Sequence, residues 1–73
     1  MYYVEYYVKG VELQVLGFNT LKECKVDMIA FIDEDKKKLR SAGYKREGSL
    51  KTGYIEYRHP VFGVDSYVKI REQ

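Results

Sequence analysis

Apolar and polar positions alternate along the first part of the chain. Residues 2–8 read Tyr-Tyr-Val-Glu-Tyr-Tyr-Val and residues 11–16 read Val-Glu-Leu-Gln-Val-Leu. Both runs are rich in β-branched and aromatic side chains, which fit a half-buried pleated surface. Lys9-Gly10 is a weaker turn pair than Asn-Gly and leaves a slightly longer loop open; if it forms a tight turn, Val8 faces Val11, Tyr6 faces Leu13, Val4 faces Val15 and Tyr2 faces Gly17. Strand side chains alternate with period two, so that set shares one sheet face. Tyr3, Glu5, Tyr7, Glu12, Gln14 and Leu16 then share the other.

The period changes after Thr20. Leu21, Cys24, Met28, Phe31, Ile32, Leu39 and Ala42 form one stripe at helical spacing, with Val26, Ile29 and Ala30 on its flank or opposite it. Thr20 and Glu23 have the spacing of a capping box. Gly43 can take the left-handed conformation that ends a helix. The spacing therefore predicts a helix over about residues 20–42. Asp33 with Lys37 and Glu34 with Lys38 make i,i+4 pairs in the favourable order. Asp35 falls on the apolar stripe, where it either overhangs the sheet edge or is paired.

The remainder reads as strands. One starts at Tyr44–Glu47, extending as far as Leu50. A second covers Tyr54–Arg58 and stops at His59-Pro60, because proline cannot donate to a ladder. A third covers Val64–Arg71. The order β-β-α-β-β-β predicts one α+β domain over residues 1–73, with a mostly antiparallel sheet and the helix packed on one face. The helix returns the chain to its starting end, so strand three runs parallel to strand two. Strand three can then lie antiparallel beside strand one. Alternatively strand four lies parallel beside strand one, an order of elements that looks like a β-grasp domain.

Composition narrows the chemistry. Cys24 is the only cysteine and His59 the only histidine. One of each makes neither an internal disulfide nor a conventional zinc set. A lone cysteine points to a reducing, cytoplasmic setting. Met1 leads straight into a strand-like run, without the basic start and apolar stretch of an export signal. No nucleophile–base pair is visible: Cys24 lies on the apolar stripe, and His59 lies in a turn where solvation is its ordinary state. Gly43-Tyr44-Lys45-Arg46-Glu47-Gly48-Ser49 lacks the Lys-Ser/Thr that a phosphate loop needs after its second glycine, and it follows a helix instead of a strand. The expectation is a protein without an enzymatic role, a cofactor or a membrane partner.

Two surfaces could bind something. Of the eight tyrosines, the strand pattern turns Tyr2, Tyr6, Tyr44 and Tyr57 toward the helix. Tyr3, Tyr7, Tyr54 and Tyr67 remain on the outer face with Leu16. That face carries Glu5, Glu12, Glu56 and Asp65 against Arg58, Lys69 and Arg71, a near balance that suits a protein interface. The second surface is basic: Lys36, Lys37, Lys38, Arg40, Lys45, Arg46 and Lys51 lie close in sequence to Glu47 alone. Seven less one leaves six positive charges, enough to hold a phosphate backbone or simply to complement the helix dipole. The whole chain carries only +2, from 13 basic and 11 acidic groups. The first expectation is a small interaction module (a regulator, inhibitor or adaptor, roles that small virus-encoded chains often fill) binding a protein partner or itself through the tyrosine face or a sheet edge. The second is a nucleic-acid binder using the basic helix end and residues 44–51.

Overall fold

The computed structural model describes residues 1–33 and 36–72, with side chains described outside residues 33–37. Five strands form one sheet: β1 (Tyr2–Val8), β2 (Gln14–Phe18), β3 (Lys45–Ser49), β4 (Tyr54–His59) and β5 (Gly63–Glu72). Two helical stretches, α1 (Leu21–Asp33) and α2 (Lys36–Ser41), connect β2 to β3. The strand order is β2-β1-β5-β4-β3, and every neighbouring pair is antiparallel. The α+β class and the antiparallel sheet are as the sequence predicts, and β3 does run parallel to β2.

The neighbour of β1 is different from either pairing expected. Neither strand three nor strand four lies there, and the β-grasp order is not adopted. β5 takes the place, paired with β1 from Tyr2↔Glu72 to Val8↔Ser66. The physical reason lies in what each strand can bury. β5 is long and turns Ser66, Val68 and Ile70 inward, whereas every residue of β3 is exposed. A strand flanked on both sides must fill a core face; a charged strand fits an edge.

The helical connection therefore crosses from one sheet edge to the other, roughly 19 Å at ordinary strand spacing. Thr20 starts it: its hydroxyl accepts from the Glu23 amide at 3.2 Å and donates to the Glu23 carboxylate at 3.0 Å. Glu23 thus grips the capping hydroxyl instead of the Thr20 amide. Gly43 ends it at φ +93, with Tyr44 N donating to Leu39 O at 3.0 Å and Gly43 N to Arg40 O at 3.1 Å. Those two bonds make a Schellman cap. The expected 20–42 span is thus bounded as the sequence predicts. The Asp33–Lys37 and Glu34–Lys38 pairs and the setting of Asp35 lie outside the described residues.

The core sits between α1 and the sheet. Val4, Cys24, Met28, Ile55, Tyr57 and Val68 are buried, with Tyr2, Tyr6, Phe18, Phe31, Ile32, Leu39, Leu50 and Ile70 packed around them. Phe31 bridges Tyr6 and Tyr57, at centroid distances of 5.6 and 6.4 Å.

The β1–β2 hairpin corrects a register. β2 begins at Gln14, and the pairs are Tyr2↔Phe18, Tyr3↔Gly17, Val4↔Leu16, Glu5↔Val15 and Tyr6↔Gln14. This is one residue off the tight-turn register, so every β2 side chain changes face. Leu16 moves to the helix side, and Val15 and Gly17 to the outer side. A turn closes at Val8–Val11, where Val11 N donates to Val8 O at 2.9 Å and Gly10 has φ +83. Val11–Leu13 then leave the ladder. The gain is Phe18: its ring packs on the core, where the other register places a glycine.

Candidate interaction face

The helices pack on one side of the sheet, and the opposite side carries three tyrosine rings in a row. Tyr7 and Tyr67 are direct partners on β1 and β5, and their rings stack at 5.2 Å with planes 19° apart. Tyr54 on β4 is the diagonal neighbour of Tyr67, stacked at 5.8 Å and 25°. Register alone produces the row, since paired and diagonal positions on one face are within aromatic reach.

A carboxylate and an arginine fix the middle ring, Tyr67, and another such pair fixes the Tyr54 end. Glu5 lies opposite Lys69 and between the two diagonal positions, Tyr67 and Arg71. The Tyr67 hydroxyl donates to Glu5 Oε2 at 2.5 Å, and Arg71 Nη1 donates to Oε1 at 3.1 Å. On β4 the same trio occupies alternate positions of one strand. The Tyr54 hydroxyl donates to Glu56 Oε1 at 2.8 Å, and Arg58 Nε to Oε2 at 2.6 Å. Each carboxylate thus spends one oxygen on a tyrosine and the other on a guanidinium.

These bonds hold the protonation states. Glu56 is only 7% exposed, yet the Arg58 hydrogen bond, assisted by Tyr54, keeps its carboxyl below the usual range. Burial, reinforced by the bond to Glu56, pushes the Tyr54 phenol up to about 12. The bond to Glu5, then burial, raises Tyr67. Tyr54 and Tyr67 are thus held as neutral phenols with committed hydroxyls, and stacking limits the rotation of both rings and of Tyr7.

Of the expected outer-face set, Tyr7, Tyr54 and Tyr67 come together. Tyr3 is on the same face but stands apart: its ring lies near its partner Gly17, within 3.6 Å of where a Cβ would project. Leu16 does not belong, because the register turns it to the helix side. Glu12 falls in the connection before β2. The two tyrosine–glutamate–arginine trios escaped the sequence reading, although the i, i+2, i+4 spacing of Tyr54, Glu56 and Arg58 was a signal for one of them.

The basic residues are spread over α2, β3 and the β3–β4 turn, and those of β3 are divided between the two sides of the sheet. Lys38 and Arg40 lie in the last turn of α2, and Lys51 in the β3–β4 turn. Lys45 pairs with Arg58 and Arg46 with Tyr57, so these neighbours belong to opposite faces. The side chains of Lys36 and Lys37 lie outside the described ones.

His59 and Cys24 are each held in place. His59 Nδ1 accepts from Val61 N at 3.0 Å and Phe62 N at 3.2 Å, and the ring packs between Tyr44 and Phe62. The expected solvated turn histidine is instead a half-buried brace for the β4–β5 turn. Cys24 is buried, and burial, then the Glu23 carboxylate, raises its thiol, the reverse of what a nucleophile needs. Among the described residues no three His, Cys, Asp or Glu side chains gather as a metal site would require. No helix among them is long and apolar enough to cross a membrane.

Compared with known proteins, the chain matches no family model, no curated protein and no solved structure.

Proposed function

We infer that the protein is a small interaction module without enzymatic activity, binding a protein partner through the outer sheet face around Tyr7, Tyr67 and Tyr54. The observation that carries this reading is the row of three stacked tyrosines, two of which, Tyr67 and Tyr54, are each held by a glutamate paired with an arginine. Stacking and hydroxyl bonds limit the side-chain freedom that association would otherwise remove, which lowers a main cost of binding. Tyrosine offers a large apolar ring with a polar rim, the combination enriched at interface hot spots. Glu5, Glu47 and Glu56 share the face with Lys45, Arg58, Lys69 and Arg71. Single-strand binders combine stacking rings with a positive groove; carboxylates set among these rings work against a phosphate backbone. The division of Lys45 and Arg46 between two faces weakens the nucleic-acid reading further.

The test compares immobilised wild type with a Tyr7→Ser, Lys69→Glu variant in nuclease-treated lysate of the source cells. The expected result is a protein captured by wild type and depleted at least about tenfold by the variant, while Val26→Lys on the helix side leaves capture unchanged. Identical captured sets for wild type and face variant overturn the reading.

A further inference from the structure

The two edges of the sheet are protected very differently. β3 presents Lys45, Arg46 and Glu47, and its Gly48 sits at φ +90. Charges and irregular backbone are the usual means of preventing edge-to-edge pairing. β2, at the other edge, reads Gln-Val-Leu-Gly-Phe, with no charge and no proline. It is apolar on both faces, with Val15 outward and Leu16 on the helix side, each 46% exposed. Beneath this edge an open groove of about 410 Å³ runs between β2 and α1, lined by Phe18, Lys22, Glu23, Val26, Asp27 and Ala30. Val26 is 60% exposed.

We propose that a second copy of this chain occupies that edge, with β2 pairing antiparallel to β2 of its partner about a two-fold axis to give one ten-stranded sheet. Three observations select a second copy over a different protein. The groove rim carries both signs, Lys22 against Glu23 and Asp27; a two-fold axis brings a patch against itself, so a rim of mixed sign can neutralise itself. The uncharged strand centred on Leu16 can lie opposite its own copy without like charges facing each other. Closure is built in as well. Pairing consumes both β2 edges and leaves only the two charged β3 edges outside, so assembly stops at two instead of running on as a fibre. The dimer also answers a question of size. Only six apolar side chains are buried among the described residues, and domains this small commonly gain stability from association. This interface is separate from the tyrosine face, which stays open on both copies.

Sedimentation equilibrium at micromolar concentrations tests the proposal. The expected mass is twice the 8.6 kDa of the chain. Leu16→Lys should weaken association at least about tenfold by placing two ammonium groups at the axis. Should that variant unfold, Val26→Lys, on an exposed helix position, should weaken association with the fold intact. Tyr7→Ser with Lys69→Glu should leave the mass unchanged, which separates this proposal from the tyrosine-face reading. A wild-type monomer, a species larger than a dimer, or a dimer that survives Val26→Lys overturns it.

Discussion

Tyr67 and Glu5 are 62 positions apart in the chain, and the Tyr67 hydroxyl donates to the Glu5 carboxylate across the β1–β5 ladder at 2.5 Å. The bond ties the first strand to the fifth at the heart of the outer face. Removing either partner leaves the other half-buried and without its mate. Tyr67→Phe and Glu5→Gln should each lower stability by about 1–2 kcal/mol. The double variant should lose less than the sum, by about 0.5 kcal/mol or more. Urea midpoints at unchanged slope measure all three; strict additivity would show that the two groups do not act together.

Tyr54 gives the stability curve an alkaline limb. Its phenol is raised from 10.0 to about 12 by burial and by its bond to Glu56. The folded state therefore holds this proton more tightly than the unfolded chain does. The contribution is complete below pH 10.0 and is lost as pH rises toward about 12. Thermal midpoints across that window should fall less steeply in Tyr54→Phe than in wild type. Glu56 acts with the opposite sign: its carboxyl is lowered from 4.5, chiefly by Arg58, so its contribution is present above 4.5 and lost as pH falls below it. Glu56→Gln should flatten that acid limb, and parallel curves for variant and wild type would refute the assignment.

Gly48 should be the least replaceable glycine. Its φ is +90, and a Cβ there would lie 2.0 Å from the Tyr54 carbonyl oxygen, which belongs to the backbone and cannot rotate away. Gly48→Ala should cost at least about 2 kcal/mol, from left-handed strain and the displacement of β3. Gly10 is the control: φ is +83 and nothing lies within 4 Å, so Gly10→Ala should cost only about 1 kcal/mol. Equal denaturation midpoints for the two variants would contradict this account.

The contrast between Leu16 and Tyr7 shows what a single sequence can and cannot fix here. Alternation alone places Tyr7, Tyr54 and Tyr67 on the outer face, because each lies in a strand held from both sides or flanked by strong turns. The same alternation misplaces Leu16. Its face depends on the path after the turn: Lys9-Gly10 turns where expected, and Val11–Leu13 leave the ladder before β2 begins at Gln14. The winning register was decided by Phe18, beyond the predicted end of the strand, which gains burial under α1 only after the one-residue shift. The helix limits were readable in Thr20, Glu23 and Gly43, whose effects are local. The position of β5 was not, because strand direction admits either β3 or β5 beside β1. The choice follows from comparing what whole strands can bury. The Glu5–Tyr67–Arg71 trio was hidden for the same reason, since it exists only once β1 and β5 are neighbours.

That placement of β5 has a consequence for how the molecule can be made and unmade. The four other strands form two antiparallel pairs, β2 with β1 and β3 with β4, and within the sheet only the ladders of residues 63–72 join them. Two-stranded units are marginal in water. During synthesis both pairs wait for a segment translated after all of them, and closure then joins strands far apart in sequence, a topology that slows folding. A protease cut in the exposed turn at Pro60–Phe62, followed by release of the downstream piece, would leave two hairpins with no shared ladder. The strand made after the other four is the one that turns two hairpins into a sheet.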